Sequence, residues 1–173
     1  MKKFLFACTF FFIISCSSNA TSQMFVDFDE FNETTTYDAI FDSKEKSGVV
    51  HTYSIKFIQK NDKTYSTYFR VYYSSDEWLF IKNLKLKNID SGWSKDFEWD
   101  YFDRKSEIDS LLEFFPISEW ILIPITINTA IELLSQESFT SRIYGDKYYS
   151  ESQVAQSDGT KELLNFLNSI DND

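Results

Sequence analysis

The amino-acid sequence predicts an α+β domain: an antiparallel sheet of about five to seven strands, with two helices from the C-terminal half packed on one face. Three observations carry this expectation. Apolar and polar residues alternate with period two through the middle of the chain. In the last third the period changes to the three-and-four spacing of a helix. Aromatic residues make up 18% of the chain against only four glycines and two prolines, a composition suited to strands rich in Tyr, Phe, Ile and Thr.

Over residues 49–60, Val49, His51, Tyr53, Ile55 and Phe57 point one way, while Thr52, Ser54 and Lys56 point the other. Asn61-Asp62-Lys63 is a polar turn, after which Tyr65, Thr67, Phe69, Val71 and Tyr73 alternate again. Together these read as an antiparallel hairpin. Trp78, Phe80, Leu84 and Leu86 suggest a third strand, closed by a turn at Asp90-Ser91-Gly92. Phe97, Trp99 and Tyr101 interleave with Asp96, Glu98 and Asp100 in a fourth. Ile108, Ser110, Leu112 and Phe114 suggest a fifth. A continuous apolar stretch, residues 120–125, then leads to Ile127, Ala130, Ile131 and Leu134, the core stripe of a helix with Thr126 as its cap. Phe139, Ser141 and Ile143 form a further strand ended by Gly145-Asp146. Asp158 is placed to cap a last helix carrying Leu163, Leu164, Leu167 and Ile170.

The N-terminus has a different character. Lys2 and Lys3 precede an eleven-residue apolar run, residues 4–14, which stops at Ser15-Cys16-Ser17-Ser18. As a helix that run covers about 16 Å, half of a bilayer's hydrocarbon core. A short basic start, an apolar run and a small residue at its end are the pattern of a cleaved secretory signal. Ile13-Ile14-Ser15-Cys16 resembles the lipobox of bacterial lipoproteins, with an aliphatic residue three positions before the cysteine and a small one directly before it. The resemblance implies cleavage before Cys16, a diacylglycerol on its sulfur and acylation of its new amino group. Two or three such chains hold a protein to a membrane effectively permanently. Ser17 and Ser18, with no Asp after the cysteine, imply passage to the outer membrane, facing the periplasm. The expected organisation is a signal peptide at 1–15, the lipidated cysteine and a polar tether at 16–23, and a single α+β domain at 24–173. From the apolar run at 120 to the closing helix, including Arg142-Ile143-Tyr144-Gly145, the chain also loosely resembles small uncharacterised domains of secreted bacterial proteins. That likeness implies a fold and no activity.

Removal of residues 1–15 takes Cys8 and both signal lysines. It leaves 158 residues with fifteen basic and 27 acidic side chains, a net charge of −12. The length suffices for one domain with a core of its own. The remaining cysteine is the one predicted to carry lipid, so no disulfide is expected. An acidic domain of this kind argues against nucleic acid, whose phosphates need Lys and Arg neighbours, and leaves room for a protein partner with a basic surface.

The residues offer little chemistry. His51, the only histidine, lies on the apolar face of a strand and reads as structural. With Cys16 alkylated there is no thiol nucleophile and no Cys/His metal set, no serine sits in a G-x-S-x-G elbow, and four glycines give no phosphate cradle. Asp96, Glu98 and Asp100 project from one strand face within reach of a hard cation, but a solvated face opposite Phe97, Trp99 and Tyr101 accounts for them. Residues 27–32 begin like a calcium loop and lack its sixth-position glycine. No catalytic residue, metal or cofactor is therefore expected, and Cys16 is the one residue given a chemical role, as the lipidation site. The expected function is a membrane-tethered envelope lipoprotein acting as a non-enzymatic binding or structural module. The alternatives are a periplasmic inhibitor or immunity protein against a basic partner, and a hydrolase working through carboxylates alone.

Overall fold

The computed structural model describes residues 24–44, 49–99, 104–108 and 117–171. The strands are β1 (Phe25–Asp29), β2 (Thr34–Ile40), β3 (Asp42–Lys44), β4 (Val49–Lys60), β5 (Tyr65–Ser75), β6 (Asn83–Lys87), β7 (Ser94–Glu98), β8 (Arg104–Ile108), β9 (Ile117–Ile125), β10 (Ser138–Tyr144) and β11 (Tyr149–Ala155). Helix α1 (Ile127–Leu134) follows β9, and α2 (Asp158–Asp171) closes the chain. The fold class is α+β, every ladder is antiparallel, and both helices lie in the C-terminal half.

The strands divide between two sheets, an architecture the alternation of residues does not distinguish from one. The first has the order β1-β2-β4-β5-β9-β8 and the second β3-β11-β10-β6-β7. One face of the first sheet is covered in two halves. Near the start of β4, His51 and Tyr53 meet Ser150 and Ser152 of β11. Farther along, Tyr37 of β2 stacks on Phe166 of α2, and Phe57 of β4 meets the same ring edge to face. Tyr53, Ile55, Phe57, Phe69, Val71, Ile121, Leu84, Leu86, Ile143, Leu133 and Leu167 are all buried in this shared interior. The 4–5 hairpin predicted from residues 49–73 is the centre of the first sheet, in the register Tyr53↔Val71 and Phe57↔Thr67.

A single residue, Phe41, carries the chain from β2 in one sheet to β3 in the other. Its side chain is buried against Phe139, and its N–H donates to the Tyr53 carbonyl at 2.9 Å. Pro124 sits inside β9, where a missing N–H would interrupt a central ladder. Among the described residues β8 pairs with β9 only from Ile117 to Ile121, so Pro124 faces one partner strand, β5.

Several expected elements are corrected. The strand anticipated from Trp78 begins only at Asn83; residues 78–82 form a loop, with Phe80 at φ 56°. The strand through Phe97 ends at Glu98, leaving Trp99 outside it, while Asp100 and Tyr101 lie outside the described residues. Strand β8 ends at Ile108, and Ser110, Leu112 and Phe114 lie outside the described residues. The cap of α2 is Ser157: its Oγ accepts from Thr160 N–H at 3.1 Å, and the Thr160 hydroxyl accepts from Ser157 N–H at 2.8 Å. Asp158 instead lies in the first turn, where its charge favours the positive end of the helix. Thr126 caps α1 as expected, accepting from Thr129 N–H at 3.1 Å.

Candidate functional site

Cys16 lies outside the described residues. The remaining candidates can each be followed to a place. His51 is buried between the sheets with Nε2 2.9 Å from the Ser150 hydroxyl, and Tyr53 OH lies 3.0 Å from the Ser152 hydroxyl two residues along each strand. These are parallel polar rungs that register the sheets, and burial pushes the Tyr53 phenol up to about 12 against the opposing help of its hydroxyl neighbours. Asp96 forms an ion pair with Lys85 at 3.2 Å across the β6–β7 ladder, and Glu98 is exposed beside it. Among the described residues no group of acidic, histidine or cysteine side chains is arranged to hold a metal ion.

A buried carboxylate unremarked in the sequence reading organises the loop between β5 and β6. Glu119 points inward from β9, fully buried. Oε1 accepts from the N–H groups of Leu79 at 2.7 Å and Phe80 at 2.9 Å, and Oε2 accepts from Ile81 at 3.1 Å. Three charge-assisted bonds to one loop are the replacement that a buried carboxylate needs for lost water. The Tyr148 hydroxyl adds a bond to the Trp78 carbonyl at 2.8 Å. The role of Glu119 is structural.

The outward face of the first sheet offers one candidate surface for a ligand. Here the alternation that buries Tyr53, Phe69 and Ile121 turns Thr52, Lys56, Tyr68, Arg70, Tyr72, Trp120 and Leu122 the other way. The register brings Thr52, Tyr72, Trp120 and Lys105 into one row across β4, β5, β9 and β8, and Ser54, Arg70 and Leu122 into the next. Arg70 spans the face: Nε donates to the Ser54 hydroxyl at 3.1 Å, and the guanidinium pairs with Asp38 of β2 at 3.2 Å. A depression of about 440 Å³ is lined by Thr52, Arg70, Tyr72, Glu107 and Trp120. A second, of about 210 Å³, is lined by Lys56, Arg70, Lys105, Trp120 and Leu122. Both share Arg70 and Trp120, so the two form one groove with an aromatic floor.

Three cations on this face, Lys56, Arg70 and Lys105, stand out in so acidic a chain. Among the described residues Lys56 and Lys105 form no ion pair. Aromatic faces beside cations suit non-covalent capture of a ligand that carries both an apolar surface and negative charge. A comparable hollow of about 480 Å³ lies on the outward face of the second sheet. Its Arg142 is committed, however, donating from Nε and a terminal nitrogen to Glu151 at 3.0 and 2.7 Å and lying over the Tyr149 ring. Among the described residues neither hollow has two carboxylates in its lining, the arrangement that a carboxylate hydrolase needs.

Tyr68, Tyr72 and Trp120 stand at even positions in strands whose odd positions are buried, and that alternation turns them outward. No family model matches this chain, and neither the curated proteins nor the solved structures contain a match to it.

Proposed function

We propose that this chain is a lipid-anchored protein of the bacterial cell envelope, held through Cys16 at the outer membrane on its periplasmic side, whose domain is a non-enzymatic binding module. The observation that carries the anchor is the order of features at the N-terminus: basic start, short apolar run, small residue, cysteine, polar tether. The binding role is supported by the groove around Arg70 and Trp120, which offers contacts for recognition and, among the described residues, no nucleophile with a base beside it.

The anchor is tested by radiolabelled palmitate. Wild type should incorporate label and Cys16→Ser should not; equal labelling of the two, or none in either, removes the anchor. The binding role is tested by comparing envelope components retained by the mature protein and by an Arg70→Ala/Trp120→Ala double variant. A component retained by the first and lost by the second is expected. If both retain the same set, the groove is not the binding face.

A further inference from the structure

The first sheet begins at an edge that ordinary soluble domains avoid. Strand β1 pairs only with β2 among the described residues, leaving its other side open. Apolar side chains stand on both of its faces: Phe25 shares a face with Asp38, while Val26 and Phe28 share the opposite face with Tyr37 and Thr35. Phe25 is 60% exposed, Val26 56%, Phe28 55%, and Phe31, in the turn after the strand, 94%. An open, apolar edge is an association liability unless something covers it.

The turn that presents Phe31 is built rather than loose. The Asp29 carboxylate accepts from the N–H groups of Phe31 at 2.9 Å and Asn32 at 3.1 Å, and from the Asn32 side chain at 2.6 Å. These bonds, led by the one from the Asn32 side chain, hold the Asp29 carboxyl below its ordinary range, because they favour the ionised form that accepts them. A phenyl ring is thus held out into solvent at a fixed place.

We infer that the β1 edge, with Phe25, Val26, Phe28 and Phe31, is a bilayer contact that lays this side of the domain on the lipid surface next to the anchor. The inference rests on the lipid-anchor reading, and the shortness of the tether favours lipid over another occupant. The seven residues 17–23 between Cys16 and the domain reach at most about 25 Å when extended, and they end where β1 begins. The edge that follows the tether in sequence carries unburied aromatics. Interleaved with them are Asp27, Asp29, Glu30 and Glu33, which direct the contact to a zwitterionic surface and away from an anionic one.

The test uses the mature protein purified from cells, its acylation read by mass spectrometry, incorporated into phosphatidylcholine vesicles with brominated acyl chains. Phe31→Trp adds an indole at a site exposed enough not to disturb folding. The expected result is loss of the added emission in brominated vesicles and not in plain ones. Partial replacement by phosphatidylglycerol should weaken the quenching. An acylated protein whose added indole is not quenched overturns the bilayer contact and leaves the anchor standing. A protein without acyl chains that is still quenched when vesicles are added overturns the anchor and leaves the contact. Neither acylation nor quenching overturns both. In detergent, a dimer that dissociates in the Phe25→Ser/Phe28→Ser/Phe31→Ser variant would show that a second copy covers the edge, and would also overturn the inference.

Discussion

Glu119 closes on three loop N–H groups from the middle of a β-strand, so its worth lies in acceptor geometry as much as in charge. Glu119→Gln preserves shape but turns one oxygen into a donor facing donors. The expected cost is about 1–3 kcal/mol, read as a drop in thermal midpoint of about 2–4 °C per kcal/mol for a domain of this size. An unchanged midpoint would mean that the loop is held by its other contacts. Gly145 is needed for proximity: a Cβ there would overlap the Leu79 carbonyl oxygen, which is also the acceptor of Asp146 N–H. Gly145→Ala should therefore cost about 1–3 kcal/mol by forcing the loop outward, and urea unfolding would measure it. Tyr53 gives a pH signature. Its phenol is raised to about 12 in the fold by burial, against about 10 when unfolded. The folded state then holds the proton more tightly, so its contribution is complete below pH 10 and disappears as pH rises through 12. Tyr53→Phe should flatten the loss of stability over that alkaline window, and parallel curves for the two proteins would contradict the assignment.

Elements that could be read from sequence are those in which one face is apolar and the other is not. Strands β4 and β5 declare themselves through His51, Tyr53, Ile55 and Phe57, and through Phe69, Val71 and Tyr73. Helix α1 does so through Ile127, Ala130, Ile131 and Leu134, to which the structure adds Leu133 on the buried side. Strand β11 does not, because two of its inward positions, Ser150, Ser152 and Val154, are serines turned inward to serve His51 and Tyr53. Strand β1 is exposed throughout, so no pattern of burial marks it. The loop at 78–82 looks like a strand because Trp78, Phe80 and the buried Leu79 and Ile81 are strand formers; its path is set by Glu119, forty residues away in β9 for Leu79, which no local window contains. The groove was hidden for a related reason: Trp120 and Leu122 extend an apolar run whose two faces separate only once β5 and β8 flank it. At the helix scale, Ser157→Ala should remove the α2 cap at a cost of about 1 kcal/mol, whereas Asp158→Ala should cost less. Equal losses in chemical denaturation would restore Asp158 as the cap.

At the scale of the whole molecule, the two sheets are joined without slack. Between Ile40 and Asp42 stands one residue, and consecutive Cα atoms are about 3.8 Å apart, so neither sheet can slide along the other by even one residue pair while Phe41 remains seated. The polar rungs at His51 and Tyr53 and the closing pair β3–β11 act from the same corner. The groove is therefore carved on a stiff plate, and occupying it should cost little conformational entropy. Stiffness also carries load. Any tension arriving through the segment before Met24 enters at β1, a strand backed by a single neighbour, whereas the Phe41 corner lies behind β2 in the interior. Under pull, β1 is placed to peel away first, lengthening the leash while the sandwich behind it keeps its shape.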